Sequence, residues 1–484
     1  MRPKLELLDR PLIERILDEA FQLIENPGVR VAPAVYELLA AAGVHVENGI
    51  AHIPEVIARK ALASVPHEFF LYDRSGNAAV RYGGDDVHFD PGSSCLNILD
   101  AVTQQARPAV SDDLIRLVTV AEMLPQYSTQ STAMVCNDVP AEMGDWYRLL
   151  LVLWHSKKPV VTGAFSGATL RIMLELLAIE SGGRAALQAK PRAVFDVCPS
   201  PPLNWSEFAS ENIVELARAG VPAEIVSMPL AGATAPVTLA GSVVQHAAEC
   251  ISGIALHQLA NPGAPIVWGA APAIFDMRTG KTPMGAIETA MLDVACAQVG
   301  KFLGVPTHGY LVAGDGKVID AQTEMESGVS AVLGALAGIN MISGAGMLDF
   351  LACHSIEKLV IDAEAIASAQ RLLEGIQPRT ESLALAMFAQ AGLHGDFLKL
   401  KETRALFRSE QHFPSDVIDR GMNIEGLDVI GRARHRVEEL VANYQRPTIS
   451  TEREEDMVHF AELQARKAGL TLLPGLSRTA AATH

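Results

Sequence analysis

The sequence predicts an α/β fold: a (β/α)8 TIM barrel with N-terminal and C-terminal helical additions. Three observations carry this. From about residue 86, eight short apolar or β-branched runs recur, each stopped by Gly, Pro, Ser or Asn. Helical stretches separate them, the alternation expected of parallel strands joined by helices. The eight units occupy about 260 residues, close to the size of a barrel of this kind.

Residues 1–85 read as a helical region. Ile13 to Ile24 is apolar at helical spacing and stops at Asn26-Pro27-Gly28. Val35 to Ala42 and Ile53 to Ser64 repeat the pattern, with Pro54 where a first helical turn tolerates it. The barrel spans 86–355. Its expected strands are Val87–Asp90, Ser128–Cys136, Pro159–Phe165, Ala193–Cys198, Ala223–Met228, Pro265–Trp268, Pro306–Val312 and Ile339–Ile342. Helices are expected at Trp146–Trp154, Ala168–Ser181, Glu207–Ala219, Ser242–Leu259, Ile287–Leu303 and Gln322–Ala337. A helical region, 356–484, follows, with helices at Ile361–Leu373, Glu381–Ala391, Asp428–Tyr444 and Thr451–Ala468.

The rival architecture is an open, doubly wound sheet. It is weakened by the lack of a nucleotide loop. Gly344-Ala-Gly-Met-Leu-Asp fails the dinucleotide pattern at its last position. Thr279-Gly-Lys-Thr resembles a phosphate loop, but Phe275 stands where the first glycine belongs.

Composition narrows the function. Of 484 residues, 49% are hydrophobic and 20% charged, enough for a large core. The net charge of −17 argues against nucleic acid, whose phosphates require basic patches, and suits a small cationic partner. The N-terminus lacks a secretory apolar core, and no uninterrupted apolar run reaches membrane-spanning length, so a cytoplasmic protein with no membrane partner is expected. Cys95, Cys136, Cys198, Cys250, Cys296 and Cys353 are scattered singly, with no CxxC, HxxxH or HExxH beside them, so no zinc or other metal site is expected.

Barrel sites form at the C-terminal ends of the strands. Here those ends are rich in small residues: Ser93 and Ser94, Gly314 and Gly316, Gly344 and Gly346. Each is an ordinary turn residue or part of a bare rim on which a large flat ligand rests. Polar candidates are Asn97, Asn137, Asp138, Asn204, His308, Asp315, Asp320, Gln322, Glu324, Asp349 and His354. Asp320 is equally an N-cap for the helix that starts near Ala321. His308 and Tyr310 share a parity on one strand, so both can face the barrel interior. Trp205, Trp268, Tyr310 and Phe350 fall near strand ends, and aromatic faces beside carboxylates suit a quaternary ammonium ligand. Core packing is the alternative for each.

Seven fragments, in order along the chain, resemble the trimethylamine methyltransferase (MttB-type) superfamily. They are Phe70-Leu-Tyr-Asp-Arg, Phe89-Asp-Pro-Gly-Ser-Ser, Lys158-Pro-Val-Val, Val318-Ile-Asp-Ala-Gln, Ala335-Leu-Ala-Gly-Ile-Asn, Ser343-Gly-Ala-Gly and Leu359-Val-Ile-Asp. The resemblance runs from about Leu5 to Tyr444. It implies a TIM barrel that moves a methyl group from an amine to the cobalt, as cob(I)alamin, of a corrinoid carried by a cognate partner protein. Founding members carry pyrrolysine; this sequence shows none and resembles the non-pyrrolysine branch, whose members demethylate quaternary amines such as glycine betaine. A quaternary nitrogen leaves as a neutral amine, so positioning and desolvation matter more than acid catalysis.

On this model Trp268, Tyr310 and Phe350 form a cage and Asn97, Asn204 and His354 hold the substrate's polar end. Asp315, Asp320 and Gln322 serve the reaction, and the Ser and Gly rim meets the corrinoid. A homo-oligomer is expected. The alternatives are a tertiary-amine or methyl-ether donor, or a non-catalytic binder of a betaine or of the corrinoid protein.

Overall fold

The computed structural model describes residues 2–422, 426–470 and 473–476. Eight parallel strands form its centre: β1 (His88–Pro91), β2 (Gln130–Ser131), β3 (Val160–Gly163), β4 (Ala193–Val197), β5 (Ala223–Ser227), β6 (Ile266–Ala270), β7 (His308–Tyr310) and β8 (Met341–Ala345). β2 through β6 make one parallel sheet in chain order. β7, β8 and β1 make a second. At one seam the Trp268 amide donates to Pro306 O at 2.8 Å, and Trp268 bridges Thr307 in parallel. At the other, the Ser128 amide donates to Phe89 O at 3.0 Å. All eight expected runs contain or overlap an observed strand. The run Ser128–Cys136 shrinks to Gln130–Ser131, because the chain beyond turns to follow the loop after β1, where Met134 bridges Cys95.

Side-chain alternation separates two faces. On the inner face Val161, Val194, Val267 and Met341 form one apolar cluster with Leu71, Val80 and Tyr82. On the outer face Phe195, Ile225, Trp268 and Ile342 join the large core under the helices. Leu71, Val80 and Tyr82 belong to an antiparallel hairpin, Glu68–Tyr72 with Ala78–Gly83, that stoppers the N-terminal ends of the strands. Its turn is built by Asp73, whose carboxylate accepts from the Asn77 amide and side chain at 2.9 and 3.0 Å, and by Gly76 at φ +80°.

This hairpin, and short strands at Val29–Arg30, His45–Glu47 and Ile50–His52, are present in residues 1–85 beside the helices expected there and were not anticipated. The helices there are α1 (Arg10–Glu25) and α2 (Glu55–Ser64), with a shorter helix at Tyr36–Ala41.

Each strand is followed by a helix: α3 (Ser111–Met123), α4 (Gly144–His155), α5 (Gly167–Ser181), α6 (Glu207–Ala219), α7 (Leu239–Ala260), α8 (Ile287–Phe302), α9 (Ala321–Ala337) and α10 (Ile356–Glu374). α3 was not singled out in the sequence. α7 is long and apolar enough to cross a membrane by length and composition, but most of it is buried, packed against α1, α2, α6 and the strands β5 and β6. An all-round apolar helix is what such a central position needs. Two later helices, α11 (Val429–Asn443) and α12 (Thr451–Lys467), pack on α10 and α5 respectively.

Candidate functional site

The inner faces of the strands carry an unexpected polar line. β4 reads Ala-Val-Phe-Asp-Val and β5 reads Ala-Glu-Ile-Val-Ser; in both, the apolar residues of one parity serve the outer core, leaving Asp196 and Glu224 on the inner face. The two residues are register partners across β4 and β5, so their carboxyl groups are neighbours on that face. Glu224 Oε1 lies 3.2 Å from His308 Nδ1 on β7, and the Tyr82 hydroxyl reaches Glu224 Oε2 at 3.5 Å from the hairpin. His308 Nε2 meets Ser343 Oγ on β8 at 2.9 Å, and that hydroxyl donates to Asp90 Oδ1 on β1 at 2.6 Å. The chain Asp196–Glu224–His308–Ser343–Asp90 thus crosses the inside of both sheets. Asp90, Glu224, His308 and Ser343 are buried, while Asp196 and neighbouring Gly163 are partly exposed as residues, with Asp196 Oδ1 itself buried.

Electrostatics here are set by burial. Desolvation pushes the Asp90 carboxyl well above its ordinary range, and Glu224 likewise, with Asp196 and Asp90 adding repulsion. Asp196 is raised for the same first reason. Burial lowers His308 to about 3, so its ring is neutral. Asp90 Oδ2 and Asp196 Oδ1 have no hydrogen-bond partner. Among the described residues, no lysine or arginine pairs with any of the three acids, although most buried charges in proteins are paired. Nor, among the described residues, is any group of three or more His, Cys, Asp and Glu placed to hold a metal ion.

Tyr310 joins this site as its parity predicts. It lies on the inner face, its ring edge-on to His308 at 6.3 Å, its hydroxyl accepting from the Ser93 amide at 2.9 Å and meeting Met347 Sδ at 2.9 Å. Trp268 does not join it, which corrects the proposed cage. It shares the outer parity with Ile266, donates from Nε1 to Cys296 O at 3.0 Å on α8, and meets His246 of α7 at 5.7 Å between ring centres. Trp205 is likewise in the helix layer, bonded to Ser252 of α7. Phe350 lies in a turn after β8 in which Asp349, Phe350 and Leu351 all have positive φ, with Lys281 Nζ 5.8 Å from its ring centre.

Asn97 and His354 are brought onto neighbouring short strands, Asn97–Leu99 and Cys353–His354, where Asn97 Nδ2 donates to Ala352 O at 3.3 Å. His354 is fully buried, held near pKa 3 by desolvation, and neither ring nitrogen has a partner. Asn204 sits in the loop after β4, where its backbone bridges Arg30 and Ser200. Ser94 has φ +61°, and its hydroxyl accepts from the buried Arg148 at 2.9 Å.

The catalytic trio disperses. Asp315 fastens two loops: its carboxylate accepts the Met284 and Gly285 amides at 2.8 and 2.9 Å, and burial raises it to about 6. Asp320 is the N-cap of α9, accepting the Gln322 and Thr323 amides at 3.0 and 3.1 Å. Gln322 is exposed and donates to Glu326 at 2.8 Å. None of the three bonds to the buried line. The rim glycines answer close approaches within this chain: a Cβ at Gly314 or Gly316 would lie 2.8 or 2.5 Å from Thr323, at Gly344 2.1 Å from Leu311 O, and at Gly346 2.2 Å from the His354 ring.

Asp90, Asp196, Glu224 and Ser343 were missed. The available signal was an acid inside an otherwise apolar strand, a placement rare unless the acid has a task.

The comparisons with known proteins agree with one another. A model described as trimethylamine methyltransferase (MTTB) matches residues 1–470. Trimethylamine methyltransferase MttB of Methanosarcina thermophila is 30% identical over 477 residues, covering 94% of this chain and 96% of that protein. Glycine betaine methyltransferase of Desulfitobacterium hafniense (strain Y51) is 27% identical over 476 residues, covering 96% and 98%. The crystal structure of Methanosarcina barkeri monomethylamine methyltransferase (MtmB) superposes with a TM-score of 0.55 at 12% identity, covering 97% of this chain and 90% of that one, and so shares the fold. The family match and the sequence relatives show that the chain belongs to the trimethylamine methyltransferase (MTTB) family and is a methyltransferase.

Proposed function

We propose that the protein moves a methyl group from a small quaternary amine, such as a betaine, to the cobalt of a corrinoid held by a partner protein. One observation carries the donor's charge: three acids, Asp90, Asp196 and Glu224, line the inner face with no fixed cation beside them among the described residues, and Asp90 and Asp196 each keep an unpartnered oxygen. A permanent cation supplies the missing counter-charge. Tyr310 contributes an aromatic wall. The unpartnered nitrogens of His354, beside Asn97, suit the donor's other end. The reading treats the two sheets as one closed (β/α)8 barrel, supported by the hydrogen bonds at both seams.

The corrinoid, when docked, supplies a strongly nucleophilic metal centre as methyl acceptor. The residues present fit an approaching partner: Leu96, Phe165, Met228, Val237, Met277 and Val318 are exposed on connections that follow the C-terminal strand ends. Such an apolar rim is characteristic of an interaction surface. The chain's own work is to bind the cation, exclude water around it and turn one methyl group toward the mouth.

The test is a donor panel (glycine betaine, choline, tetramethylammonium, trimethylamine, a methyl ether) with reduced cobalamin and product detection by mass spectrometry. Cobalamin-dependent loss of one methyl group from a quaternary donor is expected. Turnover of the ether alone overturns the reading.

A second copy is the occupant we infer for residues 376–422. Ile376, Leu383, Leu385, Leu393, Leu398 and Met422 are exposed there, and the helices Leu385–Ala391 and Lys401–Glu410 bury no residue. The stretch carries six Lys or Arg against six Asp or Glu in a chain of net −17, so it is where two mutually repelling copies can meet.

A further inference from the structure

We propose that the Asp196–Glu224 carboxyl pair holds one proton while the site is empty, releases it when a methylated ammonium cation enters, and regains it once the methyl group has left. This rests on the reading of the site given above and deepens it: the pair is a counter-charge that switches with the charge of the substrate.

The geometry begins with the contact between the two acids. Asp196 and Glu224 stand opposite one another in the register of β4 and β5, and two like charges side by side in buried space oppose each other's ionisation, so one of the two keeps a proton. The surroundings enforce that count. Facing the pair are Tyr82 from the hairpin, His308 from β7, Asp90 beyond it on β1, and Cys198 just past the end of β4. None is a cation: His308 is neutral, and Tyr82 and Cys198 are both raised by burial. A second negative charge in this space therefore has no partner until a ligand brings one. Asp196, the one partly exposed residue of the line, is the end from which the proton leaves.

The balance through one turnover is simple. A quaternary cation enters and one proton leaves, so the net charge inside is unchanged. The C–N bond then breaks with its electron pair remaining on nitrogen, and the methyl group passes to the acceptor. The amine left behind is neutral, and the pair is again short of a counter-charge. One proton returns from solvent, to the pair or to the amine, and the cycle closes. Glu224, in contact with the donor in this reading, is a catalytic residue. His308 and Ser343, which hold Glu224 and Asp90, are positioning residues.

Isothermal titration of the full-length protein with tetramethylammonium chloride and with glycine betaine, in buffers of different ionisation enthalpy at pH 7, tests this. About one proton released per bound cation is expected, with affinity rising as pH rises until the pair is ionised, by at most about tenfold per pH unit. Glu224→Gln, which lets the amide donate to an ionised Asp196, is expected to bind without releasing a proton; Asp196→Asn does the same from the other side. Binding to the wild-type protein with no proton exchange, or unchanged release in both variants, overturns the inference while leaving the cationic donor intact. No binding of either cation, together with no methyl transfer from any quaternary donor, overturns the underlying reading instead.

Discussion

Glu224 and Trp268 sit on neighbouring strands and have opposite fates, decided by parity alone. Glu224 faces inward to His308, and Trp268 faces outward to α8. Trp268→Ala is accordingly expected to cost about 3–5 kcal/mol of stability by leaving a cavity between strand and helices. Chemical denaturation reads that loss, while the KM of the surviving enzyme stays near the wild-type value. A raised KM with unchanged stability would return Trp268 to the substrate. Its neighbour His246 makes a pH prediction. Burial lowers this ring from 6.5 to about 4, so its neutral form stabilises the fold above pH 6.5, and that contribution is lost as pH falls toward 4. The variant His246→Gln lacks this acid-sensitive group. Its stability deficit relative to wild type should shrink by roughly 1.4 kcal/mol per pH unit between those values, as measured by urea unfolding across that range. A constant deficit would show that the ring is not buried neutral.

At the scale of elements, Asp320 and the hairpin divide what could be read in advance. The strand–helix rhythm was legible because each run is bounded by residues that stop it, and each of the eight strands overlaps its expected run, although Ser128–Cys136 shrinks to two residues and others run past their stops. The cap at Asp320 was legible as one of two readings, and α9 uses it as a cap. Asp320→Ala should therefore cost about 0.5–2 kcal/mol without changing the rate of methyl transfer; a collapse of kcat at unchanged stability would make it catalytic again. The hairpin Glu68–Tyr72 with Ala78–Gly83 was not legible, since its inward residues are satisfied only by Val161, Val194, Val267 and Met341, from four distant strands. Leu71→Ala removes part of that stopper and should cost about 2–5 kcal/mol in thermal or chemical unfolding. The acids of the site were hidden for the same reason: one residue in a short apolar strand declares its face only when the register with its neighbours is known.

The whole molecule is an acidic body, and exposed apolar side chains are found on the connections that follow the strands and along the stretch 376–422, among other places. The first is read as the docking face for the corrinoid protein and the second as the contact between copies. Light scattering on the purified protein should give more than one copy per particle. Leu398→Glu combined with Leu385→Glu should lower that number while leaving methyl transfer to free reduced cobalamin in place. A single copy in the wild-type protein would contradict this assignment.

The central claim is that a cationic methyl donor lies among Asp90, Asp196 and Glu224. A crystal of the protein grown with a quaternary ammonium donor tests it most directly. The account predicts the nitrogen within about 6 Å of carboxyl oxygens from these acids, the distance over which opposite charges govern ionisation, with Tyr310 alongside. A donor bound in the helix layer near Trp268, or on the outer surface with the three acids untouched, would contradict it.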